Sequence, residues 1–324
     1  MLARAILRAV KINEATAPYD TMTLKIFYPA WLEDSEVVRE TGILPVDTTF
    51  APYPVMIFFA GVNCESYMYF WLAEKLAENG IVVVVMSWLA QNLVGRMSYT
   101  PGIALDKVSP QTYGSGFTSS SLPYMLQVLQ VINQESVLAN ALDMNCIILA
   151  GHSAGGTMAL QNADKRYLPN IAGSISYCAN VLATTALGGF RDGTLPPLPH
   201  DVPTLIMGAT HDGVSTHHNQ IYGRPHLSSA DITLAIFDEA LPHHRQDSYA
   251  VILQGANHYS VCHPLDNTVG RTFLDFEATS DAHDLRQTFF EVTLAFIQQH
   301  ITRQASHLTQ VLANLPLVAH VEHK

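Results

Sequence analysis

The run at residues 81–86 (IVVVVM) holds six apolar residues in succession, mostly β-branched, with no polar residue on either face. β-Branched side chains favour extended backbone, and a strand without polar alternates fits only where both of its faces are covered. That is an inner strand of a parallel sheet. Similar runs recur at 55–60 (VMIFFA), 146–150 (CIILA), 171–178, 203–207 (PTLIM) and 249–253, and two earlier runs, 3–11 and 21–28, also read as strands. Segments with helical spacing lie between them. Residues 66–79 align Tyr67, Phe70, Trp71, Leu72 and Leu76 ahead of a C-capping Gly80. Residues 120–142, 154–164 and 284–301 follow the same rule, the last with Leu285, Phe289, Val292, Phe296 and Ile297 on one side. The alternation predicts an α/β fold with a mainly parallel central sheet and helices on both faces. One domain is expected over 1–301, with irregular, cap-like insertions at 87–118 and 213–248. A helical tail, interrupted near Pro316, is expected over 302–324.

Composition narrows the function. The 324 residues are 48% hydrophobic and 14% charged, which excludes a disordered chain. Seventeen basic residues stand against 28 acidic ones, and Lys and Arg form no cluster, so a nucleic-acid partner is not expected. The longest aliphatic stretch is far too short to span a bilayer. The opening MLARAILRAVKIN has no long apolar core, so it reads as a first strand and not as a signal peptide. Cys64, Cys146, Cys178 and Cys262 form no C-x-x-C pair and are expected to be reduced thiols in a cytoplasmic protein.

In parallel sheets, chemistry collects at the carboxyl ends of the strands. After CIILA comes Gly151-His152-Ser153-Ala154-Gly155-Gly156, then a helix. A G-x-S-x-G sequence between strand and helix is a turn sharp enough to need small residues two positions either side of the serine. It lifts the hydroxyl to a helix N-terminus, where free N–H groups favour negative charge. Ser153 is therefore the candidate nucleophile. A serine hydroxyl needs a base, and the base an orienting acid. Asp212 follows PTLIM and His258 follows the strand at 249–253, in the order Ser, Asp, His. Asp192 is the second choice of acid and His263 the second choice of base. The oxyanion donors are expected to be the amides of Ala154 and of Val62, with Asn63 the next choice. Gly61, Asn63, Tyr69 and Trp88 are the expected substrate contacts. His211, His217, His218, His243 and His244 are dense but lack zinc spacing, so they read as loop histidines; neither metal nor cofactor is expected.

These motifs resemble the α/β-hydrolase superfamily over about residues 20–301, and within it most nearly the chlorophyllase and dienelactone-hydrolase-like serine esterases. The segments that carry the resemblance are YPVMIFFAGVNCESYMYFWLAEKLAENGIVVVV, IILAGHSAGG, TLIMGATHDGV and VILQGANHYSV. The resemblance implies Ser153 as nucleophile, Asp212 as acid and His258 as base, acting on a small-molecule ester of apolar character, with a chlorophyll-type ester one candidate. The chain departs from these relatives in three places. Ala60-Gly61 stands where such families carry His-Gly, Ala154 where chlorophyllases often carry Arg, and Ser153 where true dienelactone hydrolases use cysteine. A thioesterase or amidase on the same triad, and a non-catalytic binding protein, are the alternative readings.

Overall fold

A computed structural model describes residues 1–93, 96–242 and 245–324. The chain opens with an antiparallel hairpin, β1 (Leu2–Lys11) and β2 (Thr21–Ala30), followed by a short helix, α1 (Glu36–Thr41). Then come β3 (Tyr53–Phe59), α2 (Phe70–Glu78), β4 (Val82–Leu93), β5 (Arg96–Tyr99) and α3 (Leu122–Glu135). The middle of the chain supplies β6 (Leu142–His152), α4 (Ala154–Gln161), β7 (Ile171–Tyr177), α5 (Val181–Leu187) and β8 (Thr204–Ala209). It closes with α6 (Gly213–Ile221), α7 (Ser229–Ala235), β9 (Tyr249–Leu253), α8 (Ala282–Phe296), α9 (Leu308–Asn314) and β10 (Val318–His323).

Among the described residues ten strands form one mixed sheet, ordered β1-β2-β4-β3-β6-β7-β8-β9-β10, with β5 paired to β4. The six strands from β4 to β9 are parallel, and β1, β2 and β10 are antiparallel at the edges. Residues 82–86 of the apolar run lie in β4, as their composition requires. Val83 and Val85 pack with Leu72, Leu76, Phe289 and Phe296 from α2 and α8. Val82 and Val84 face the other way, toward Leu122 and Leu129 of α3 and Met158 of α4. A period-2 strand thus feeds two cores at once.

The strand order reverses between β3 and β6. The chain leaves β3 toward one edge, through α2 to β4, and then crosses over to β6 and proceeds toward the other. Adjacent connections that diverge in this way leave a crevice at the carboxyl ends of the two strands. Phe59 of β3 pairs with Gly151 of β6, so the loop at 60–64 and the turn at 151–155 flank that crevice.

Several expectations need correcting. The stretch 87–118 is not irregular throughout: β4 runs on to Leu93, and β5 pairs antiparallel with its end. The helix expected at 120–142 covers only Leu122–Glu135, because Ser136 is extended and Asn133 bonds back to Leu142 to start β6. The stretch 213–248 is not a simple cap. It holds α6 and α7, and Ile232 of α7 packs in one cluster with Ile206 of β8 and Ala250 of β9. The tail contains α9, but it ends as β10, which pairs with β9 and covers that sheet edge. The VAHVEH segment is a half-buried edge strand, too short and too polar to stand out as one.

Candidate functional site

The turn at Ser153 is built by close packing of glycines. Ser153 has φ 57° and ψ −125°, a conformation costly for a residue with a side chain. A Cβ on Gly155 would lie 2.2 Å from the Phe59 carbonyl oxygen and 2.5 Å from that of Ala60. One on Gly151 would lie 2.4 Å from the backbone of Gly155. Only glycine at both positions lets α4 start this close to β3 and β6. The turn is tied across the sheet by the Ser153 amide, which donates to the Tyr177 carbonyl at 2.9 Å.

Asp212 and His258 lie beyond β8 and β9, which pair in register up to Ala209 and Leu253. The His258 Nδ1 stands 2.9 Å from Asp212 Oδ2, and both side chains are buried. Asp212 is also the N-cap of α6: it accepts from the Ser215 amide at 2.7 Å and from its hydroxyl at 2.6 Å. Burial alone would raise the Asp212 pKa, but the charge and hydrogen bond of His258, together with Ser215, bring it down to about 2. For His258, burial pulls the pKa down, and the Asp212 charge and hydrogen bond more than reverse this, so it rises above its ordinary value. A carboxylate facing Nδ1 fixes the hydrogen there and leaves Nε2 as the proton acceptor of the neutral ring.

Ser153 and His258 line one cavity of about 150 Å³, together with Val62 and Ala154. Among the described residues the amides of Val62 and Ala154 donate to no protein acceptor, which leaves both for an anionic oxygen. The rest of the wall is largely apolar and includes Ile103, Leu105, Ala183, Leu187 and Val214.

Four expected substrate contacts stand elsewhere. Tyr69 is buried behind the nucleophile, where its hydroxyl meets His152 Nδ1 at 2.8 Å and accepts from the Gly61 amide at 3.3 Å. Gly61 sits against His152, Cys64 and Ser153 and does not line the cavity: a Cβ there would lie 3.1–3.3 Å from each. The Asn63 amide is spent on the Tyr99 carbonyl at 3.0 Å. Trp88 donates to the Tyr19 carbonyl and lines a neighbouring groove of about 1070 Å³ at the β1–β2 connection, which shares Ile103 and Leu105 with the Ser153 cavity. Aromatic residues near strand ends are needed for packing as often as for binding, and sequence order does not tell the two apart.

Asp275 is absent from the sequence-based expectations, which set His218 aside as a loop histidine. Asp275 accepts from the amide of Gly213 at 2.9 Å and of Tyr259 at 3.3 Å, so it ties the acid loop to the histidine loop. Burial raises its pKa. His218 is no solvated loop residue: it is buried on α6 and lines the cavity, and burial and then the Arg271 charge depress its pKa to about 3. His211 and His217 are half-buried, and His243 and His244 lie outside the described residues. Cys64, Cys146, Cys178 and Cys262 are all unbridged.

Among the described residues, two sets of donor atoms each lie within 4.8 Å of one another: Cys64, His152 and Cys262, and Cys178, Asp212 and His258. In the second the carboxylate and imidazole are engaged with each other and with Ser215. In the first His152 is engaged by Tyr69. No helix is long and apolar enough to cross a membrane among the described residues. No protein-family model and no curated protein matches the chain.

Proposed function

We propose that the protein is a serine hydrolase of carboxylic esters. The observation that carries this reading is the buried Asp212–His258 pair, with His258 opening on the cavity that also holds Ser153. Ser153 Oγ bonds to the ester carbonyl carbon as His258 Nε2 takes its proton, and Asp212 stabilises the imidazolium. The oxyanion accepts hydrogen bonds from the Val62 and Ala154 amides. The C–O bond to the leaving group then breaks, and the departing oxygen takes the proton from His258. Water attacks the acyl-serine with His258 again as base, releasing the acid and restoring Ser153.

The cavity favours short acyl or ring-sized groups, since a dry cavity of about 150 Å³ holds a molecule of benzene's size. A long chain of the chlorophyll-ester kind would have to lie outside it. The test is kcat/KM on p-nitrophenyl esters from acetate to palmitate, with Ser153→Ala as blank and an alkyl phosphonate as label. Turnover peaking at short chains, lost in Ser153→Ala, and a phosphonyl adduct on Ser153 support the reading. A folded protein that neither turns over any ester nor takes the label refutes it. Turnover of thioesters or amides in preference would move the leaving group without moving the triad.

A further inference from the structure

Arg271 is the one Arg or Lys on the wall of the Ser153 cavity among the described residues, and no Asp or Glu lines it. Among those residues no carboxylate lies within ion-pair distance of its guanidinium. Its side-chain partner is His218 Nε2, toward which Nη1 points. The Arg271 amide is held as well, donating to the Tyr259 hydroxyl at 2.8 Å.

The fixed parts of the site set the position of this cation. His218 lies on α6, whose N-cap is Asp212. Asp275, four residues after Arg271, accepts from the amides of Gly213 and Tyr259, which directly follow Asp212 and His258 in the chain. The guanidinium is therefore anchored to the elements that carry the acid and the base. An imidazole that accepts from Nη1 must be unprotonated at Nε2, so it orients the cation without neutralising it. Guanidinium presents several N–H donors in a plane, and one contact to His218 leaves the others for a second acceptor. Arg271 is exposed at the rim of the cavity, and a guanidinium without a carboxylate partner at the mouth of a largely apolar cavity is placed to select an anion.

We infer that the ester bears a carboxylate a few bonds from its scissile carbonyl, and that Arg271, oriented by His218, binds it. The substrate class is then a short half-ester of a dicarboxylic acid or a similar carboxylate-bearing ester, matching a cavity that holds only a small group. This inference rests on the proposed ester-hydrolase reading for its turnover but not for its binding.

The test uses monoethyl glutarate and its neutral counterpart, ethyl pentanoate, in two assays. By pH-stat, the ratio of kcat/KM for the anionic over the neutral ester is expected to fall about 10–100-fold in Arg271→Gln, mainly through KM, as for loss of one hydrogen bond to a charged group. Arg271→Lys should recover part of it. By calorimetry, Ser153→Ala protein, which cannot turn over, should bind monoethyl glutarate, and adding Arg271→Gln should weaken that binding by the same factor. An Arg271→Gln protein that loses both esters equally would mean a merely structural role and overturns the inference. So does binding of monoethyl glutarate that is absent, or that Arg271→Gln leaves unchanged. Binding that responds to Arg271 without any turnover would sustain the anion site and refute the hydrolase reading alone.

Discussion

Replacing Asp212 by Asn separates the charge of the acid from its architecture. The carboxylate accepts from the Ser215 amide and hydroxyl and faces His258 Nδ1 at 2.9 Å. Asn has the same size and caps a helix about as well, so α6 should keep its start. The buried negative charge is lost. Leaving one member of a buried ion pair without its partner costs about 3–5 kcal/mol. In this mechanism that cost falls on the step that forms the imidazolium. At about 1.36 kcal/mol per factor of ten, the expected loss in kcat is about 10²–10⁴-fold.

The pH profile gives a second, independent reading of the same substitution. In the wild type Asp212 holds the His258 pKa above 6.5, and the base form is the active one, so kcat/KM should climb with pH and reach half its plateau above 6.5. Without the Asp212 charge, burial, the largest influence, is opposed only by Asp275 and Cys64, so the half-point in Asp212→Asn should move down. Stability follows the same linkage. The contribution of Asp212, whose pKa falls from 3.8 to about 2 on folding, is present above 3.8 and lost as pH falls toward 2. The contribution of His258 is full below 6.5 and lost as pH climbs through its raised folded value. The wild type's margin over the variant in urea should therefore be widest between 3.8 and 6.5. Initial rates on p-nitrophenyl acetate from pH 5 to 9, with Ser153→Ala subtracted, measure the first effect. A folded Asp212→Asn protein with less than tenfold loss and an unmoved half-point would refute the assigned coupling.

Three further outcomes are expected. Ser153→Gly and Ser153→Ala should both be inactive, but the glycine variant should be more stable by about 1–2 kcal/mol in urea, because only it relaxes the φ of 57°; equal stability would mean that the turn stores no strain. Gly155→Ala should cost about 1–3 kcal/mol and lower kcat on the same ester, since its Cβ pushes on the Phe59 and Ala60 carbonyls and so on the loop that carries Val62; full activity at wild-type stability would contradict that packing. Removing residues 316–324 should lower Tm and promote aggregation, read by light scattering, because it uncovers the edge of β9; a monomeric product with unchanged Tm would show that β10 does not protect the sheet.

The sequence determined the parts of this protein that local chemistry dictates. Uninterrupted β-branched runs fit only inner strands, and 82–86 indeed lies within β4. Gly151 and Gly155 flank Ser153 because the backbones at that turn leave no room for a Cβ. The positions of Asp212 and His258 just past two strands were legible from strand ends alone. What only the tertiary structure decided is what meets across distant segments. Tyr69 and Trp88 are aromatic residues near strand ends, yet one packs behind the nucleophile and the other lines the neighbouring groove. Asp275, His218 and Arg271 belong to no motif, because a hydrogen bond between loops requires no fixed spacing along the chain. The edge strand β10 was hidden for a related reason: its VAHVEH carries no clear period of its own and becomes a strand when β9 offers it a partner. Periodicity reports burial within one element, whereas the composition of a cavity depends on which elements the sheet order brings side by side.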